Sequence, residues 1–292
     1  MTAQRRLWNR VTQAVFVACA LILVAVIVAI IFYISSKGLA TFITNKVPLS
    51  QFLFSKTWAP DEKPGTYGAA TFIVGSLEVT GLAVLIATPL SLAAALFLAE
   101  VGPKWAQSVL QPAVELFVGI PSVVYGWVGL SVLVPFIRNH VGGLGFSLLA
   151  GATVLSVMAL PTITTVATDA LKALPGGLKE ASFGLGATRW QTISRVLLPA
   201  AVPGLLTAVI LGLARAIGEA LAVQMVIGNT EIIPKHLTDR AVTLTSIITL
   251  DMGNTVGGTP WNNTLWSMAM LLLLIALALI LTIRVVSARR VI

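Results

Sequence analysis

Arg215 and Glu219 stand in "LGLARAIGEALAVQM" (211–225), a stretch that is otherwise almost wholly apolar. An Arg or Asp at the centre of a membrane-spanning helix costs about 2.5–3.5 kcal/mol on insertion scales. Two such charges therefore demand compensation. Their i, i+4 spacing puts them on one face of a continuous helix, close enough to pair. Arg precedes Glu, the weaker order on an isolated helix, so further partners are expected from water, another helix or a substrate. A guanidinium presents paired donors in a planar fork that suits a phosphate-like oxyanion. A nearby carboxylate would hold it between anions and discourage trapping. Two readings stand: a gate or pathway position, or a fixed ion pair that staples the bundle. Gly212, Ala216 and Ala220 recur every four residues on the same stretch, a small-residue pattern that lets another helix approach closely.

Other chemistry is sparse. GxxxxGK[ST] does not occur, and the only Lys followed by Ser or Thr, Lys56, lacks the preceding glycines. ATP binding by that loop is not expected. The single cysteine, Cys19, lies in an apolar run and reads as a small packing residue. His140 and His236 are far apart, and neither a metal spacing nor a nucleophile–base pair stands out. No catalytic residue, metal or cofactor is expected, and the chain does not read as an enzyme.

The elements that position Arg215 and Glu219 follow from composition. Of 292 residues 57% are hydrophobic and 10% charged, with mean hydropathy +0.94. Soluble domains carry about 25% charged residues. This is an all-α integral membrane chain. The net charge of +8 does not indicate nucleic acid, because the basic residues are scattered over polar connections. Six apolar stretches are long enough to cross a bilayer, at about 11–34, 72–99, 110–137, 146–168, 197–227 and 261–283. Pro89, the "GIPSVVYG" segment (119–126) and Pro161 interrupt three of them, which suggests either an internal pathway or simple packing kinks. Residues 1–10 carry Arg5, Arg6 and Arg10 ahead of a run too long for a secretory signal, so the first span reads as a retained anchor. With both termini cytoplasmic, eleven Lys/Arg fall in inside segments and seven outside, and the outside connections are longer. The 35–70 and 229–260 connections then face outward, as partner-docking loops or plain links. Glu78 and Glu115 read as side chains snorkelling from span ends, and Asp169 as water-exposed.

One polar insert breaks the pattern: "KEASFGLGATRWQTISRVLLP" (179–199). Leu178, Ala181, Ser182 and Leu185 follow helical spacing and give a small, partly apolar face. Gly186 can end that helix, and Thr188-x-x-Gln191 reads as a capping box for a second one with a Trp190, Ile193, Leu197 stripe. Such a helix–glycine turn–helix at 175–199 suits insertion into a partner's groove more than a bed of lipid headgroups.

These residues resemble the EAA motif of ABC-importer permeases. Glu180-Ala181-Ser182, three residues, Gly186, nine residues and Val196-Leu197-Leu198-Pro199 keep its spacing, with Ser for the second Ala and Val for Ile. "VELFVGIPSVVYGWVGLSVLVPFIR", "MALPTITTVATDALKALP" and "LARAIGEALAVQMVIGN" are similar to phosphate-importer permeases. The run Ala220-Leu221-Ala222-Val223-Gln224-Met225 and "TLTSIITLDMG" are closer to the PstC type than to the PstA type. The resemblance implies a six-helix bundle of the type I ABC importer kind with a cytoplasmic coupling helix. It implies a homologous PstA-type permease, two PstB-type ATP-binding subunits and an external PstS-type phosphate-binding protein as partners, within membrane lipid. It makes Glu180, Ala181, Ser182 and Gly186 the contact with the ATPase, and Arg215 and Glu219 the phosphate pathway. The alternatives are a permease for another oxyanion, molybdate or sulfate, or an ion-coupled secondary transporter.

Overall fold

The computed structural model describes residues 3–288, so Arg289 and Arg290, counted toward the orientation, lie outside the described residues. Its elements run α1 (Ala3–Ile43), α2 (Leu49–Phe54), the two-residue strands β1 (Trp58–Ala59) and β2 (Thr66–Tyr67), then α3 (Ala70–Leu96). Next come α4 (Lys104–Val118), α5 (Ser122–Val128), α6 (Val134–His140) and α7 (Leu148–Lys172). The polar insert forms α8 (Gly176–Gly184) and α9 (Arg189–Thr192). The chain closes with α10 (Leu198–Ile217), α11 (Leu221–Gln224), α12 (Leu244–Asp251) and α13 (Pro260–Ala288). Wide π turns at 97–101, 129–133 and 193–197 extend α3, join α5 to α6, and join α9 to α10. Among the described residues, six helical stretches are long and apolar enough to cross a membrane: 11–43, 70–101, 122–140, 148–172, 189–217 and 260–285.

The first of these stretches runs on from residue 34 to Ile43, and Pro89 and Pro161 lie inside the continuous α3 and α7 and do not divide them. The third stretch breaks within the expected 119–126 segment, and its spanning part is shorter than 110–137. Gly119, Ile120 and Pro121 separate α4 from α5, and the spanning part is 122–140. Pro121 has no N–H to continue the α4 ladder, and its ring disfavours helical geometry at the residue before it. The fifth stretch ends at Ile217, because Gly218 terminates α10, and the apolar residues up to 227 turn through the short α11.

The bundle is centred on α7, packed between α3 and α10. Their shared core is mostly small: Ala87 and Ala95 from α3, Ala159, Ile163 and Ala167 from α7, Ala201, Leu205 and Ala208 from α10. Lipid tails are as apolar as leucine, so such helices adhere by close backbone approach and not by hydrophobic exclusion. A Cβ on Gly212 would collide with the Ile163 side chain, and one on Gly204 would sit 2.5 Å from Ala170 Cβ. The small-residue pattern therefore works at Gly212 and Ala216, while Ala220 lies beyond the end of α10.

α1 touches α13 near one end only. Gly38 admits the Trp266 backbone, and Ser267 donates to the Gly38 carbonyl at 2.6 Å. Side chains from Val11 to Phe32, Cys19 among them, are exposed along the rest of α1. At that same end β1, β2, α2 and α12 form an apolar cap around Phe52, Trp58, Phe72 and Leu265, with the Trp58 indole donating to Asp251 at 3.1 Å.

Candidate translocation and coupling sites

Breaking the third stretch leaves carbonyls at the end of α4 without helical partners. Two side chains answer them. The Tyr125 hydroxyl donates to the Phe117 carbonyl at 2.8 Å, and Arg215 reaches the Val118 carbonyl at 3.5 Å. Arg215 also donates to Thr162 Oγ1 at 3.0 Å, on the turn of α7 that carries Pro161. The guanidinium is thus half-buried in the last turn of α10, between the α4–α5 break and the proline-bearing turn of the continuous α7.

Glu219 does not pair with it. Gly218 lies between them, so the i, i+4 register expected of a continuous helix is lost. Among the described residues the single ion pair is Lys179–Glu100. Glu219 instead accepts from the Ala222 backbone N–H at 3.1 Å, at the start of α11, while its own carbonyl accepts from Thr245 at 2.9 Å. Its side chain borders a narrow recess with Ser76, Thr80, Thr243 and Thr245. An Arg held only by a hydroxyl and a carbonyl keeps its full charge and still has donors to offer, since a guanidinium carries five N–H groups. That arrangement suits transient contact with an oxyanion better than a neutralised pair would.

The polar insert folds as helix, glycine turn, helix. Gly186 sits at φ +80, in the left-handed region. Thr188 accepts from the Gln191 N–H, and the Gln191 side chain accepts from the Thr188 N–H at 2.8 Å, which completes the capping box. Glu180 and Ala181 are exposed, as is the segment 183–186 between the helices. Ser182 is not: it is 7% exposed and shares a 2.9 Å hydrogen bond with Thr192 that clamps α8 onto α9. The outward apolar groups are Leu178, Phe183 and Leu185, with Trp190 at 69% exposure and so outside the buried Ile193–Leu197 stripe. Open space surrounds both Gly184 and Gly186.

Sequence reasoning missed Glu100. It lies in the π turn after α3, and its carboxylate accepts from Lys179 of α8 at 2.5 Å. Its backbone carbonyl accepts from Arg189 of α9 at 3.0 Å. One residue thus ties both helices of the insert to the end of a membrane span. The only cue in the sequence was a lone acid closing an apolar run. Glu78 does not snorkel from a span end: it lies within α3 with one carboxylate oxygen buried and unpartnered. Glu115 belongs to α4, is exposed, and accepts from Gln111. Asp169 is exposed near the end of α7.

Known proteins match this chain along most of its length. Residues 87–291 match the family described as "Binding-protein-dependent transport system inner membrane component". A probable ABC transporter permease protein, YqgH, of Bacillus subtilis (strain 168) is 55% identical over 95% of this chain and 90% of its own length. The phosphate transport system permease protein PstC of Xylella fastidiosa (strain Temecula1) is 36% identical over 69% of this chain and 68% of its own. A crystal structure of a bacterial ABC transporter involved in the import of the acidic polysaccharide alginate superposes with a TM-score of 0.65. That match covers 97% of this chain and 99% of the other at 18% identity, a likeness of fold alone.

Proposed function

The chain belongs to the family of binding-protein-dependent transport system inner membrane components, and from that premise we propose that it is the PstC-type half of an ATP-driven phosphate importer. It is a multi-pass inner-membrane ABC importer permease, a non-enzymatic subunit. Phosphate is favoured by the PstC relatives and by one observation above all: Arg215, half-buried beside the α4–α5 break, is held by neutral acceptors and not by a carboxylate. Glu219, one turn of chain further on, would line the same pathway and set how readily an anion leaves.

On this reading both termini face the cytoplasm, and Glu180, Ala181 and Gly186 meet a PstB-type ATPase. Ser182 acts from behind, by holding α8 against α9. A PstA-type permease completes the pathway, and a PstS-type binding protein docks on the 35–70 and 229–260 connections. The test is ATP hydrolysis by the assembled complex in proteoliposomes, with phosphate, sulfate or molybdate presented on matching binding proteins. Stimulation by phosphate alone is expected. Stimulation by molybdate or sulfate in its place would move the assignment to another oxyanion.

A further inference from the structure

Two further arginines lie at the end of the bundle opposite the polar insert. Arg138 ends α6, and Arg240 lies in the loop before α12. They are about a hundred residues apart in sequence, yet both border one cavity of about 470 Å³, together with Gln224 and Asn229. Neither guanidinium forms an ion pair or hydrogen bond with any described residue, although the Asp239 carboxylate is adjacent in sequence to Arg240. Asp239 is engaged elsewhere, accepting from the backbone N–H groups of Lys235 and His236 at 2.9 Å each.

The cavity wall is built to place Arg240. Gly228 has φ +95, and a Cβ there would fall 2.6 Å from Arg240 Cγ and 2.9 Å from its Cδ. The arginine stem therefore lies across the one residue type that leaves room for it. The Ala241 N–H donates to the Ile227 carbonyl at 3.2 Å and fixes the two strands of chain side by side. Gln224 and Asn229 also border a second cavity of about 270 Å³ that reaches Val123 and Leu221. Val123 is in the first turn of α5, just past the break that Arg215 attends, and Leu221 opens α11, two residues beyond Glu219.

We propose that Arg138 and Arg240 form an oxyanion antechamber, a low-affinity site that receives a tetrahedral inorganic anion before it reaches Arg215. The proposal rests on the oxyanion-importer reading and on the orientation given above. Two unpaired guanidinium groups on one concave wall concentrate anions by their field and offer forked donors on contact. Their exposure to water keeps the site weak and salt-sensitive, so an anion is passed on and not trapped.

The assembled transporter, reconstituted in proteoliposomes with its binding protein, tests this with radiolabelled orthophosphate. Arg138→Gln with Arg240→Gln should lower uptake turnover at saturating binding protein about tenfold, the loss of a charge-assisted contact. It should also flatten the decline of uptake with added salt. Arg138→Lys with Arg240→Lys should restore much of the turnover. Assembly should match the parent complex, and the binding protein should still associate through the 35–70 connection and the parts of 229–260 outside this cavity. Unchanged turnover in the double Gln variant overturns the antechamber. So does a loss of turnover that tracks a loss of binding-protein association, since that assigns the arginines to docking. A parent complex that carries sulfate or molybdate and not phosphate overturns the substrate assignment alone. The antechamber then stands or falls on whether the double variant slows that anion.

Discussion

Single residues carry the chemistry here, and their partners decide what they do. Arg215→Gln removes the charge but can keep a donor to Thr162 or to the Val118 carbonyl, so the bundle should assemble at normal abundance. Anion uptake should fall at least tenfold, on the order of one charge-assisted hydrogen bond. Normal uptake in that variant would return Arg215 to a purely structural part. A second prediction concerns Asp239, whose carboxyl is held below the usual aspartate range by the backbone N–H groups of Lys235 and His236. A depressed carboxylate stabilises its loop fully above the ordinary aspartate value of about 3.9 and loses that contribution as pH falls through the folded value. At neutral pH the Lys235 and His236 amides should exchange faster in Asp239→Asn than in the parent. The gap should close in acid. A constant ratio across pH would refute the cap. Arg215 and Glu219 were legible as the candidate pathway residues, because charge in an apolar run is conspicuous. Their relation was not. The i, i+4 argument assumes a helix, and Gly218 ends the helix between them.

At the scale of elements, helix breaks and turns were more legible than helix contacts. Pro121 and the Thr188–Gln191 box announce themselves locally, since a missing N–H or a reciprocal cap needs no distant partner. The end of α10 was hidden, because the chain stays apolar as far as residue 227 and hydropathy does not register a change of direction. Glu100 was hidden for another reason: its partners lie 79 and 89 residues away. Its value is mechanical. α8 and α9 are short, and helices of that length hold their shape mainly through contacts with what they pack against. The Lys179–Glu100 pair is partly exposed, with side chains 40% and 13% accessible, so it contributes little to global stability. It does fix where α8 and α9 stand relative to α3. Glu100→Gln should leave the complex assembled yet lower transport per ATP hydrolysed several-fold. Gly186→Val should do more damage, because a β-branched residue at φ +80 costs roughly 1–2 kcal/mol and reshapes the turn. Unaltered coupling in both variants would remove the π turn from the transmission route.

The whole molecule joins these parts along α7. Its 25 residues span roughly 37 Å at 1.5 Å per residue, with Ser147 capping one end and α8 and α9 following the other. Arg138 and Arg240 gather at the first end, Glu100 and Glu180 at the second, and Arg215 meets α7 between them at Thr162. A machine laid out this way must have a definite orientation, and the orientation can be read chemically. In a Cys19→Ser background, single cysteines at Val256 and Leu185 probe the two ends, both positions being well exposed at 73% and 89%. A membrane-impermeant maleimide should label Val256→Cys on intact cells. It should reach Leu185→Cys only in inverted vesicles. Stripping the ATPase should raise that second signal and adding it back should lower it, because Leu185 stands beside Glu180 and Gly186 on the surface proposed to enter the ATPase. The opposite labelling of the two positions overturns the topology and the direction of transport with it. Correct sidedness without ATPase protection keeps the topology but moves the coupling contact off α8. The separation matters because the antechamber depends on the orientation and not on the identity of the coupling surface.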